Sequence, residues 1–185
     1  MRLIMFIVVA ATAAGFLAGG TLRDFPSVKL RCAWLALAGV VLQFIPLSGA
    51  IGIALLYASF AVLITFAIMN VRAQGFTLIL IGLALNAVVI VANQGMPVTR
   101  EALVASGQTD TLPELASDAE GQKHFLAGDG TRLLELGDVI ALGSPIRQAV
   151  SIGDILVHLG IGWFIVMAMR RRDRSPALEP GTAEV

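Results

Sequence analysis

Long apolar runs separated by short polar breaks dominate the chain. Leu3 to Leu22 is apolar behind Met1 and Arg2, and Arg23, Asp24, Pro26, Lys29 and Arg31 interrupt it. No charged residue occurs from Cys32 to Val71, a run of 40 positions, twice the roughly 20 residues of one membrane-crossing helix. Pro46 and Ser48-Gly49 near its middle supply a turn, so the run predicts a helical hairpin, Cys32 to Ile45 and Gly49 to Met69. Asn70 to Gln74, with Arg72, breaks the chain before a fourth apolar span, Gly75 to Ala92. A fifth runs from Ser151 to Met169 and ends against Arg170-Arg171-Arg172-Asp173-Arg174. The small residues Ala10-Ala11-Thr12-Ala13-Ala14 give the first span the look of a signal peptide; because further spans follow, it reads as a retained helix.

The segment Asn93 to Val150 is different in kind. Thr111-Leu-Pro-Glu114 has the spacing of a capping box and predicts a short helix, and Asp129-Gly130 predicts a turn. Leu133, Leu134, Leu136, Val139, Ile140 and Leu142 make the following stretch too apolar for a solvated coil, while Glu135, Gly137 and Asp138 interrupt it too often for a span. It is expected to lie on the membrane surface or fold back over the bundle. The pattern as a whole predicts an all-α integral membrane protein, a bundle of five transmembrane helices with one long extracytoplasmic loop. Its divisions are a four-helix part at 1–92, the loop at 93–150 with short helices, the fifth helix at 151–170 and a cytoplasmic tail at 171–185.

Composition agrees. Of the 185 residues 57% are hydrophobic and 14% charged, against about 25% charged in an ordinary soluble domain, and the mean hydropathy is +0.84. The 13 basic and 13 acidic residues cancel, so no global field draws in nucleic acid, and none is expected as a partner. The single Cys32 excludes an intramolecular disulfide framework and reads as a small membrane-facing or packing residue. Charge placement sets orientation. With the N-terminus outside, the inner side holds Arg23, Lys29, Arg31, Arg72, Arg170, Arg171, Arg172 and Arg174, and the outer side Arg2 plus four basic residues in a loop too long to count strongly. That loop carries twice as many acidic residues as basic ones. The expected arrangement is a multi-pass membrane protein with the N-terminus outside and the C-terminus cytoplasmic.

Candidate chemistry is sparse. Ser151, Asp154, His158 and Gly162 fall on one stripe of the fifth helix, and an ionisable residue within a span costs about 2.5–3.5 kcal/mol on insertion scales, so something must offset it. A functional reading makes the stripe a proton relay, a half-built metal site or a docking point for a polar headgroup or substrate; a structural one makes it a buried polar pair that fixes packing. Asn86 and Asn93 lie nearly on one face of the fourth helix, and Asn86 in mid-span needs a polar partner; His158 is the expected one. Asn86, Asn93, Asp154 and His158 are therefore the candidate binding residues. Gln43, Tyr57, Ser59 and Thr65 are further polar positions on the hairpin. Gly15 and Gly19 form a GxxxG packing motif. In the loop, Lys123-His124, Asp129, Asp138 and Arg147 are candidates to converge over the mouth of the bundle, with Asp138, Asp154 and His124 as the candidate catalytic groups. Their spacings match no compact zinc pair, and GxSxG, HExxH, CxxC and phosphate-loop motifs are absent. No metal and no cofactor is implied.

Four segments carry a resemblance: Asn93-x-Gly-x-Met-Pro-Val98, Lys123-His124, Leu136-Gly-Asp138-Val-Ile140 and Ser151-Ile-Gly-Asp154. Together they resemble a family of small bacterial polytopic membrane proteins known only as a domain of unknown function. The resemblance implies that Asn93, His124, Asp138 and Asp154 are recurring polar positions, and it implies no activity. Three functional readings stand. The first is a non-catalytic accessory subunit, scaffold or sensor whose outer loop contacts a partner. The second is a small oligomeric transporter with a polar path between the fourth and fifth helices. The third is a membrane-embedded enzyme acting on a lipid-linked substrate through the pair Asp138 and Asp154. The expected partners are the lipid bilayer and a membrane protein or a second copy of the chain. Single cysteines replacing Ser117 and Ser175 should label from opposite sides of intact cells; labelling of both from one side would overturn the predicted topology.

Overall fold

The computed structural model describes residues 2–23, 28–116 and 123–170. The tail 171–185, with Arg171, Arg172 and Arg174 of the orientation argument, lies outside them, as do Asp24 and Pro26 of the first connection. Helices form where the apolar runs predict: α1 Arg2–Leu17, α2 Ala33–Phe44, α3 Gly49–Met69, α4 Phe76–Asn93 and, after the loop, α7 Ile152–Met169. Three of them, α3, α4 and α7, are long and apolar enough to cross a membrane, which points to a membrane location. The other two are shorter than the sequence pattern suggests. With 16 and 12 residues they rise about 24 Å and 18 Å, short of a hydrocarbon core of about 30 Å. The reasons are local: Gly19 at φ 76° turns the chain after α1, Cys32 at φ 49° precedes α2, and Ile45 before Pro46 leaves α2 in extended backbone. Cys32 is exposed.

Each helix packs chiefly on the next in the spatial order α2, α3, α4, α7, α1. The α4–α7 contact depends on four glycines. A Cβ on Gly75 would strike the Gly160 carbonyl oxygen, one on Gly82 the Gly153 carbonyl oxygen, and one on Gly153 the Asn86 amide. Two glycines seven residues apart on each helix thus let the backbones touch. Gly15 plays the same part against Met169, whose sulfur sits where its Cβ would be, whereas Gly19 touches nothing and serves the turn. At the end of α4 away from the loop, Phe66, Phe76 and Phe164 stack edge to face with centroids 5.4 and 5.5 Å apart.

The loop is a small folded unit, and here the all-α expectation needs correction. It holds two short helices, α5 Arg100–Ser106 and α6 Leu112–Leu115, and also four strands: β1 Met96–Val98, β2 His124–Leu126, β3 Ile140–Leu142 and β4 Gln148–Val150. β1 and β2 are parallel, β3 and β4 antiparallel. Three residues are too few for an alternating pattern to show in sequence. Val98, Ala102, Leu103 and Ala149 form its own core, with Leu112, Leu115 and Leu126 against it. The Thr111 helix forms, but not by the predicted cap: the Thr111 hydroxyl donates backwards to the Gln108 carbonyl at 2.8 Å. The apolar stretch after Leu133 folds back as predicted, through a 3₁₀ turn at Leu134–Leu136 packed on α4 and then β3.

Gly153→Ala should cost about 1–3 kcal/mol by forcing α4 and α7 apart. Gly162→Ala, whose Cβ would meet its nearest atom at 3.4 Å, should stay within about 0.5 kcal/mol. Denaturation of the detergent-purified protein measures both.

Candidate functional site at the mouth of the bundle

α4 ends at Asn93, Gln94 turns the chain at φ 58°, and β1 leaves directly over the bundle. β1 has a neighbour on either side. On one, β2 pairs Met96 with His124, and the Met96 amide donates to the Lys123 carbonyl at 2.8 Å. On the other, the Asp138 amide donates to the Pro97 carbonyl at 2.9 Å and the Thr99 amide to the Asp138 carbonyl at 3.3 Å. Gly137 is required here, because a Cβ would stand 2.7 Å from the Pro97 oxygen. β1 thereby sets His124 and Asp138 on either flank of one strand, with His124 Nε2 3.8 Å from Asp138 Oδ2.

From the other side comes α7. Ser151 caps it: its hydroxyl accepts from the Asp154 amide at 2.9 Å, while Asp154 Oδ2 accepts from the Ser151 amide at 3.3 Å, a reciprocal capping box. Asn86 on α4 closes the network, donating through Nδ2 to Asp154 Oδ1 at 2.7 Å and accepting from the Ser151 hydroxyl at 2.9 Å. The mid-span amide finds its partners, but they are Asp154 and Ser151 rather than His158. His158 Nδ1 instead lies 2.6 Å from the backbone carbonyl of Asp154, one turn back. Asn93 also stands apart. It donates to the Val89 and Arg132 carbonyls and accepts from the Arg132 amide at 2.8 Å, tying the loop to the helix end. Asp129 and Arg147 do not line the site; the Arg147 guanidinium donates to the Gly107 carbonyl at 2.6 Å.

His124, Asp138 and Asp154 form a wall shared by two cavities. The bundle-side cavity, about 170 Å³, reaches Asn86, Gln43 and Lys123 over Leu56, Phe60 and Met96. The loop-side cavity, about 280 Å³, lies under α5 and α6 and includes Val98, Leu103, Gln108, Glu114 and Leu115. Lys123 had no assigned partner in the sequence pattern. Its ammonium donates to the carbonyls of Gln43 at 2.5 Å and Ile45 at 2.8 Å, capping the C-terminal end of α2.

Asp138 has the unusual electrostatics. Its side chain is 8% exposed, Oδ1 has no hydrogen-bond partner among the described residues, and 3.8 Å is too long for a bond from Oδ2 to the imidazole. Burial first, and the Asp154 carboxylate second, push its pKa up to about 8, so it is mostly a neutral acid at pH 7 and makes no ion pair with His124. Desolvation also lowers the His124 pKa, opposed by Asp154 and aided by Lys123. The ring's 55% exposure argues against strong desolvation, and the exposure decides: the imidazole keeps contact with water. Among the described residues no three His, Cys, Asp or Glu converge as metal ligands.

The profile of one protein family matches residues 27–166, which include every residue of this wall. The chain belongs to the family of unknown function DUF5317. The DUF5317 match takes in α2 to α4, the whole loop and most of α7, and α1 lies outside it. No curated protein and no solved structure matches the chain.

Asp138 binds its proton more tightly folded than unfolded, so its contribution to stability falls as pH rises from about 4 to about 8. Asp138→Asn, which cannot ionise, should flatten that fall. Melting temperatures of the two proteins at pH 5 and pH 9 measure it, and equal pH dependence in both would contradict a neutral Asp138.

Proposed function

We propose that this DUF5317 protein is a five-span protein of the bacterial plasma membrane, N-terminus outside, that acts without catalysis as a sensor or accessory subunit holding a polar ligand at the outer mouth of its bundle. The observation that carries the reading is Asp138, a carboxyl more than nine-tenths buried with an unpartnered oxygen, in the wall between two cavities. Buried polar groups are almost always paired, and an orphaned oxygen on a residue that lines two cavities is suited to pairing with what enters. The five spans rest on α1 and α2, which are apolar and pack along α7 and α3. Lipid is the natural cover for Phe6, Trp34, Leu37, Ile51, Val91 and Trp163, all exposed. The asymmetry of basic residues supports the orientation.

Two facts favour binding over the other readings. Asp154 is tied by both oxygens, to Asn86 and to its own helix cap, which suits holding a fixed charge better than shuttling a proton in catalysis. The α4–α7 seam is in backbone contact at Gly75–Gly160 and Gly82–Gly153, which leaves little room for a carrier's path between those helices. The test is purification in mild detergent with native mass spectrometry of whatever copurifies. Asp138→Asn and Asp154→Asn should each lose the bound species at normal insertion levels, while His158→Gln keeps it. Retention in both carboxylate variants would end this reading.

A further inference from the structure

The two cavities share a wall but differ in charge. Lys123 borders the bundle-side cavity, and two of its donors are spent on the carbonyls of Gln43 and Ile45 at the end of α2. The loop-side cavity is bordered by Glu114, Asp138 and Asp154, and by no Lys or Arg among the described residues. Arg147, the nearest arginine in sequence to that lining, turns its guanidinium to Gly107 instead. An acidic lining alone would say little. Here it coincides with the orphaned oxygen of Asp138, a side chain more than nine-tenths buried on that same wall. Val98 and Leu103 from the loop core and Leu115 from α6 give the rest of the lining its apolar surface, and Gln108, Thr111, His124 and Gln148 its polar surface. Its carboxyls do not form a metal-ligand cluster among the described residues. At about 280 Å³ it stands at the small end of ligand sites, which run from about 300 to 1,000 Å³.

We propose that the loop-side cavity binds the ammonium group of a small organic amine between Asp138 and Asp154, with the apolar part of the ligand against Val98, Leu103 and Leu115. This rests on the binding reading above and names its ligand class. A neutral molecule would leave Asp154 without a counter-charge, an anion would meet two further carboxyl groups, and a bare metal ion would lack a converging ligand set. An ammonium supplies a donor to the unpartnered oxygen and a charge opposite to Asp154. Binding is then coupled to a proton: as the ammonium enters, the Asp138 O–H bond breaks, the proton passes to water, and the carboxylate left behind pairs with the cation. The titratable groups that share a cavity lining with Asp138 are Asp154 from α7, Glu114 from α6, His124 from β2 and Lys123 just before it, and Asp154 acts on it through charge. The amine belongs either to a free solute or to a lipid headgroup, since both present the same ammonium.

The probe is n-butylamine, with n-butanol as its uncharged isostere, titrated into the full-length protein in detergent. Butylamine should bind and butanol should not. Because Asp138 gives up a proton held with a pKa of about 8, butylamine affinity should rise about tenfold from pH 6 to pH 7, a profile read on the unaltered protein. Asp138→Asn should abolish that rise, and Glu114→Gln should weaken binding several-fold without abolishing it. In nanodiscs of phosphatidylethanolamine, butylamine affinity falls relative to phosphatidylglycerol nanodiscs if the headgroup is the natural occupant, and is unchanged if a free amine is. Absence of butylamine binding, or binding indifferent to pH and to Asp138→Asn, overturns the amine. If the copurifying species is still lost in Asp138→Asn, the binding reading survives that failure; if it is kept in both carboxylate variants, both fall together.

Discussion

Backbone contact between α4 and α7 governs the rest of the molecule. Without side chains at Gly75, Gly82, Gly153 and Gly160 the two helices approach until their peptide groups touch, and dispersion at that distance replaces the hydrophobic effect that lipid cannot supply. The approach in turn fixes the polar chemistry. Asn86 reaches Asp154 and Ser151 only because Gly153 leaves space for its amide. One carboxylate is thereby both a helix cap and the partner of a mid-span amide. Asp138 is brought to the same wall from above, and the nearby Asp154 charge helps to keep it protonated.

A repeated device holds the ends of the long helices. Asn70, just after α3, donates to the Phe66 carbonyl and exchanges two hydrogen bonds with the backbone of Arg31. Asn93, at the end of α4, does the same with Val89 and the backbone of Arg132. In each case one amide bonds a carbonyl of the last helical turn and pins a connecting segment from elsewhere in the chain. Asn93 belongs to the scaffold in this sense, even though its place in a polar motif suggests a site.

The apolar runs make the helices legible because burial in lipid or against a neighbour demands unbroken hydrophobic sequence; the ends of α3, α4 and α7 fall within a residue or so of the pattern. Asn86, Asp154, Asp138 and His124 are legible as polar groups in costly places. Their pairing is not. Asn86 takes Asp154 rather than His158 because helix rotation is set by the glycine contact, and the weight of four glycines spread over 86 residues is invisible to a search for polar stripes. The strands are hidden for another reason: β1 is an ordinary Met-Pro-Val until segments from beyond Leu115 flank it. Lys123 was readable only as a charge beside His124, since its partners are carbonyls, which leave no mark on the identity of Gln43 or Ile45.

The spatial order of the helices constrains how the protein can be assembled. α1 rests on α7, and the Thr21 amide donates to the Met169 carbonyl at 2.8 Å; Asn86 waits on residues that follow it by 65 and 68 positions. During synthesis both surfaces are made well before the helix that covers them. Until α7 arrives, α1 lacks its main neighbour and Asn86 sits in the membrane without its partners, a state that exposes polar amide to lipid or to insertion factors. The arrival of α7 closes both gaps at once and draws the two ends of the loop together, so the mouth of the bundle is completed in the same event that commits the helices to their final order.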